Sequence, residues 1–170
     1  MTWLRAFLPV ATVAILTVAA ILPWGLPVED RFVLPLLPIV AIMYWTLDRD
    51  AWLPEWAAFL AGLMLDVLTQ GPLGYWALIY LVAYVAAVFV SHLCFETALG
   101  WSAAFASAIV AVTAFVWLAA SVYFLEVLDW RPYVRSAAFA LAAACLIMGA
   151  RALFGSKNQR DRAVRLTRGS

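Results

Sequence analysis

Long apolar runs, broken by short clusters of charge, proline and glycine, organise the chain into six candidate membrane-spanning helices. The first covers residues 4–23 and closes at Trp24-Gly25-Leu26-Pro27. The second, 32–47, lies between Glu29-Asp30-Arg31 and Asp48-Arg49-Asp50 and carries Pro35 and Pro38 in its first two turns, where a kink is tolerated inside a bundle. The third, 52–70, has Pro54 near its start and stops before Gly71-Pro72. The fourth, fifth and sixth span 74–95, 99–125 and 132–154, with Gly155 as a stop and residues 155–170 as a tail. The third span is short. Glu55 to Thr69 covers about 22 Å of helix at 1.5 Å per residue, less than the ~30 Å hydrocarbon core. Either the helix starts at Trp52, or its end lies within the protein. In that case the backbone of Gln70-Gly71-Pro72-Leu73-Gly74 needs shielding by other helices or a cavity.

Composition narrows the class. The chain has 170 residues, 67% of them hydrophobic and 12% charged, with a mean hydropathy of +0.96. Soluble domains are about 45–50% apolar and about 25% charged. Six helices of ~20 residues leave no room for a soluble catalytic domain. The expected architecture is an all-α membrane protein, one six-helix domain over 1–154 with a basic tail. A secreted domain, a disordered chain and a nucleic-acid binder are excluded. Ile21, Leu22, Pro23 and Trp24 carry the apolar character past a weak cleavage pattern at Val18-Ala19-Ala20, so the first helix is expected to be uncleaved.

Charge sets the orientation. Arg151, Lys157, Arg160, Arg162, Arg165 and Arg168 gather at the C-terminus, beside anionic headgroups on the cytoplasmic side. Six spans place both termini there with Arg5 and Arg49. Arg31, Arg131 and Arg135 are left outside, eight against three of the 11 Lys and Arg residues. Trp3, Trp45, Trp52, Trp56 and Trp101 then fall near inner ends, and Trp24, Trp76 and Trp130 near outer ends. Only Trp117 lies well inside a span.

One ionisable residue within the apolar helices is singled out, one turn from the outer end of the third. Asp66 follows Ala58 and Gly62 at four-residue spacing, and Thr69 and Gln70 continue that face. A carboxylate at the bilayer centre costs about 2.5–3.5 kcal/mol, so it must face protein or water. Two readings are open: an ion, proton or polar-ligand contact, or an acceptor for hydrogen bonds from the Gly71–Gly74 turn or a neighbouring helix. Thr69, Gln70, Tyr75, Tyr80 and Tyr84 are the neutral groups nearby in sequence. His92 and Glu96, four apart, are too few for a metal site. No nucleophile motif is present, no cofactor is implied, and Cys94 and Cys145 read as free buried thiols. Glu126, Asp129, Arg131 and Arg135 form a mixed-charge outer loop.

Small residues recur every fourth position at Ala58 and Gly62, at Ala103, Ser107 and Ala111, and at Ser136, Ala140 and Ala144. Such stripes admit close helix contacts, within the chain or with another membrane protein.

The stretch from Tyr44-Trp45 through Pro54 to Phe59-Leu60-Ala61-Gly62-Leu63-Met64-Leu65-Asp66-Val67-Leu68-Thr69-Gln70-Gly71-Pro72-Leu73-Gly74 resembles the rod shape-determining protein MreD family. Tyr80, Ala83 and Tyr84 extend the likeness, and length, span count and basic C-terminus fit. The resemblance implies a non-enzymatic inner-membrane component of the bacterial cell-elongation machinery. Its implied partner is the transmembrane helix of MreC, with RodA, a class B penicillin-binding protein and MreB reached through the complex, alongside membrane lipids. It also implies a bundle similar to the S components of energy-coupling-factor transporters, with Gly62, Asp66, Thr69, Gly71, Pro72 and Gly74 shaping the third helix and its outer turn. The other reading is a substrate-binding S component of a small-molecule transporter. That requires an outward pocket in which Asp66, Thr69, Gln70, Ser107, Thr113 or Ser121 supply polar contacts.

Overall fold

The computed structural model describes residues 2–22, Gly25, 34–47, 53–93 and 98–146. Among these residues the chain is helical throughout: α1 (Thr2–Ile21), α2 (Leu37–Leu47), α3 (Glu55–Thr69), α4 (Tyr75–His92), α5 (Ala98–Phe124) and α6 (131–146). A 3₁₀ turn over 34–36 leads into α2. Tyr75–His92 and Ser102–Phe124 are long and apolar enough to cross a membrane on their own, and Phe7–Ile21 and Leu34–Leu47 are shorter apolar helices. The acidic and basic clusters at 29–31 and 48–50, Cys94, Glu96, residues 147–154 and the basic tail lie outside the described residues.

Three differences from the sequence expectation have simple causes. Among the described residues of the second span the α-helix begins at Leu37, giving 11 residues, or about 16 Å of α-helix. Pro35 sits within the 3₁₀ turn, and Pro38 is tolerated in the first turn of α2, whose N–H groups lack intrahelical partners. Arg131 and Arg135 belong to α6 rather than to a loop, since the helix begins at 131. Cys145, expected buried, is exposed, because it sits one position off the inward stripe that ends at Ala144.

Helix α4 is central, packing against α2, α3 and α5, while α1 packs on α2 and α3. Its buried face is Ala77, Tyr80, Ala83, Ala87 and Val90 with Ile79. The alanines let neighbouring backbones come close. Helix α5 turns Phe105, Ala108, Ile109, Val112, Val116 and Ala120 inward, while Val110, Leu118 and Val122 point outward. Both faces are apolar, as a helix between a protein core and lipid requires.

Hydrogen bonds join the helices at few points. Trp45 Nε1 donates to Thr12 Oγ1 at 2.7 Å, tying α2 to α1. Tyr80, fully buried, donates its phenol to the Pro35 carbonyl at 3.1 Å, and Tyr75 donates to the Val116 carbonyl at 3.2 Å. The hydroxyls of Thr17, Thr113 and Ser136 each turn back 2.8 Å to the carbonyl four residues earlier in the chain. Where no water is at hand, such self-satisfaction removes the cost of a polar group in an apolar helix.

Candidate functional site

The motif around Asp66 is built by the end of α3, a five-residue connection and the start of α4. The end of α3 is tight. Gln70 adopts the left-handed conformation (φ 52°) and its N–H, like that of Gly71, folds back onto the last turn. Gly71 N–H reaches the Asp66 carbonyl at 3.2 Å and Gln70 N–H the Val67 carbonyl at 3.3 Å. Thr69 Oγ1 donates to the Leu65 carbonyl at 2.7 Å. The chain then reverses, and Gly74 takes φ 95°, a conformation that costs a residue with a Cβ.

Gly74 stands at the N-cap of α4 and brings no capping side chain of its own. Asp66 supplies the cap from the neighbouring helix. Its Oδ2 accepts the Gly74 N–H at 2.9 Å and the Ala77 N–H at 3.3 Å, and its Oδ1 accepts the Trp76 N–H at 2.8 Å. Tyr75 N–H goes to the Pro72 carbonyl at 3.2 Å, and Leu78 N–H to the Gly74 carbonyl at 2.9 Å. Every N–H from Gly74 to Leu78 is therefore paired, although helix starts normally leave these donors without intrahelical acceptors. Asp66 is 0% exposed. Its carboxyl group lies at the N-terminal, positive end of the α4 dipole.

Gly62, one turn before Asp66, explains how the carboxylate gets so close. A Cβ there would stand 2.5 Å from Ala77 Cα and 2.5 Å from the Trp76 carbonyl oxygen. The α4 backbone thus lies directly on Gly62. Ala58, one further turn back on the same face of α3, is 0% exposed.

The structure thus gathers Gly62, Asp66, Thr69, Gly71 and Gly74 into one turn-and-cap unit. Pro72 stands beside it, lining a cavity of about 180 Å³ with Tyr75, Trp76, Tyr123, Phe124 and Tyr133. The three stripes separate. Gly62 lies under α4, and Ser136, Ala140 and Ala144 are 1%, 3% and 1% exposed. Ala103, Ser107 and Ala111 lie on the exposed face of α5. His92 ends α4, and no group of three His, Cys, Asp or Glu among the described residues is placed to hold a metal.

Sequence reasoning did not find the α5–α6 junction. Trp117 Nε1 donates to the Leu128 carbonyl at 3.0 Å, Leu128 N–H reaches Ser121 Oγ at 3.4 Å, and Arg131 N–H reaches Asp129 Oδ1 at 3.1 Å. The one signal was Trp117 itself, a tryptophan deep in an apolar span whose N–H needs an acceptor.

Comparison with known proteins adds one finding. The family model of the rod shape-determining protein MreD matches residues 1–150. No curated protein and no solved structure matches the chain.

Proposed function

This chain belongs to the rod shape-determining protein MreD family, and we propose that it is a non-enzymatic membrane scaffold of the cell-elongation complex. Membership makes it a cell-shape protein, and its apolar helices suit the bacterial inner membrane. The proposed arrangement is six spans with both termini cytoplasmic, the charge asymmetry of the sequence being its support. The proposed partner is the transmembrane helix of MreC, through which RodA, a class B penicillin-binding protein and MreB are reached and peptidoglycan synthesis is supported.

One observation carries the partner assignment. Two of the three small-residue stripes are used up by packing within the chain, whereas Ala103, Ser107 and Ala111 form an outward row on α5. Close approach of a second transmembrane helix needs such a row, since lipid offers no hydrophobic drive between helices. The alternative of a transporter S component is less favoured. The Thr69, Ser107 and Thr113 hydroxyls bond carbonyls of their own helices, Ser121 accepts the Leu128 N–H, and Asp66 caps α4.

The test is co-purification with co-expressed MreC. Ser107→Leu and Ala111→Leu are expected to lose the complex while eluting as a monodisperse helical protein. Complex formation undiminished in both variants, and in Ala103→Leu, overturns the α5 assignment. Recovery of an ATPase-bearing transporter module instead of MreC overturns the scaffold itself.

A further inference from the structure

We propose that the cavity between the start of α4, the end of α5 and the start of α6 is an aromatic cage for a trimethylammonium group, carried by a choline lipid head or a free choline-like solute. The inference does not depend on the scaffold role.

The cavity of about 180 Å³ is smaller than the ~300–1,000 Å³ sites of drug-sized ligands, so it takes one compact group. Five of its nine lining residues are aromatic: Tyr75 and Trp76 from α4, Tyr123 and Phe124 from α5, and Tyr133 from α6. Four of the rings form two nearly perpendicular pairs. Tyr75 and Trp76 meet with ring centres 5.3 Å apart at 84°, and Tyr123 and Phe124 at 5.1 Å and 87°. Three helices thus bring rings of differing orientation around one small volume. Aromatic faces are electron-rich, and a set of them around a compact cation is how such a cation is held without a hydrogen bond.

Charge points the same way. No Lys, Arg or His lines the cavity, and Arg131 and Arg135 are exposed on α6. Tyr123 and Phe124 close α5, so the negative end of that helix dipole lies at the cavity. The opposite pole, at the start of α4, is covered by the Asp66 carboxyl group. The nature of the cation follows from the lining, whose only side-chain acceptors are phenol oxygens. A primary ammonium brings three N–H donors that each need an acceptor. A quaternary ammonium has no donor to satisfy.

Depth fits as well. Helix α4 has 18 residues, about 27 Å, close to the ~30 Å hydrocarbon core. Tyr75, its first residue, donates to the Val116 carbonyl, so residues 117–124 of α5 run on about 12 Å past the start of α4. Tyr123 and Phe124, 55% and 65% exposed, therefore stand at the level of the headgroups.

The experiment titrates the full chain in a maltoside detergent with tetramethylammonium, read by saturation-transfer NMR of the methyl protons. The uncharged choline isostere 3,3-dimethylbutanol is the control. Saturable binding of the cation is expected, at least about tenfold tighter than the isostere. Tyr123→Leu and Phe124→Leu should each weaken it roughly two- to fivefold, and Y123L/F124L should abolish it in a monodisperse helical protein. Phe89→Leu, an exposed ring elsewhere on α4, should change nothing. Loss of the signal in phosphatidylcholine nanodiscs, but not in phosphatidylglycerol nanodiscs, assigns the site to a lipid head, and retention in both assigns it to a free solute. Equal binding of the isostere overturns the proposal. So does the absence of saturable binding, or affinity indifferent to Y123L/F124L.

Discussion

Gly62 lies beneath Ala77, so that a methyl group added at Gly62 would stand 2.5 Å from Ala77 Cα. This contact sets how near α3 comes to α4, and with it whether the Asp66 carboxylate reaches three amides of the next helix. The glycine and the aspartate therefore act as one device. One removes bulk, and the other uses the closeness so gained.

Gly62→Ala is expected to destabilise the protein by about 1–3 kcal/mol, the usual cost of overpacking. The obstructing atoms are backbone rather than a flexible side chain. Thermal unfolding in detergent, with Gly71→Ala as the comparison, checks this. Gly71 meets only the Thr69 hydroxyl, at 3.3 Å, and should be the milder change. An unchanged midpoint for Gly62→Ala would show that the close approach is not needed.

Asp66→Asn keeps one carbonyl oxygen but turns an NH₂ group toward an amide donor, leaving at least one buried N–H unpaired. The expected loss is about 1–3 kcal/mol. Asp66→Leu leaves all three donors from Gly74, Trp76 and Ala77 unpaired and should cost more. Hydrogen exchange at these amides is the direct readout, and protection retained in Asp66→Leu would contradict the capping role.

Tyr80→Phe removes the phenol that donates to the Pro35 carbonyl. Because both groups lie in the core, a loss of about 1–2 kcal/mol is expected. Tyr75→Phe should cost less, since its acceptor, the Val116 carbonyl, lies within α5, where the helix supplies a backbone donor. Paired unfolding midpoints decide the order.

Ala140→Leu and Ala111→Leu test the two faces by stability alone. Ala140 is 3% exposed and should lose about 1–3 kcal/mol on enlargement. Ala111 is exposed and should stay within about 0.5 kcal/mol of the wild type. Equal loss at both sites would mean that α5 has a partner face within its own chain.

Reporters fused after Ser170 test orientation. A green fluorescent protein there is expected to fluoresce and an alkaline phosphatase to be inactive, since the basic tail favours the cytoplasmic side. The reverse pattern would invert the proposed topology.

How much was legible from residues alone differs from place to place. Asp66 stood out because an ionisable residue amid apolar neighbours must face protein or water, and Gly62 because it shares that face. The acceptors and donors did not stand out, since Gly74, Trp76 and Ala77 contribute backbone N–H groups that no side-chain pattern announces. The helix starts of α2 and α6 moved for a similar reason. Proline and arginine mark a boundary region, while the terminal hydrogen bonds choose the residue.

By itself the sequence determined that this is a helical membrane protein and that Asp66 has to face protein or water, because hydrocarbon tolerates neither unpaired backbone nor scattered charge. Only the tertiary structure decided which apolar face turns inward. On α5 the row of Ile109, Val112 and Val116 is buried while that of Val110, Leu118 and Val122 is exposed. Lipid and protein core reward the same side chains, so composition is mute on the choice. Shape and the few hydrogen-bond partners across the helices settle it.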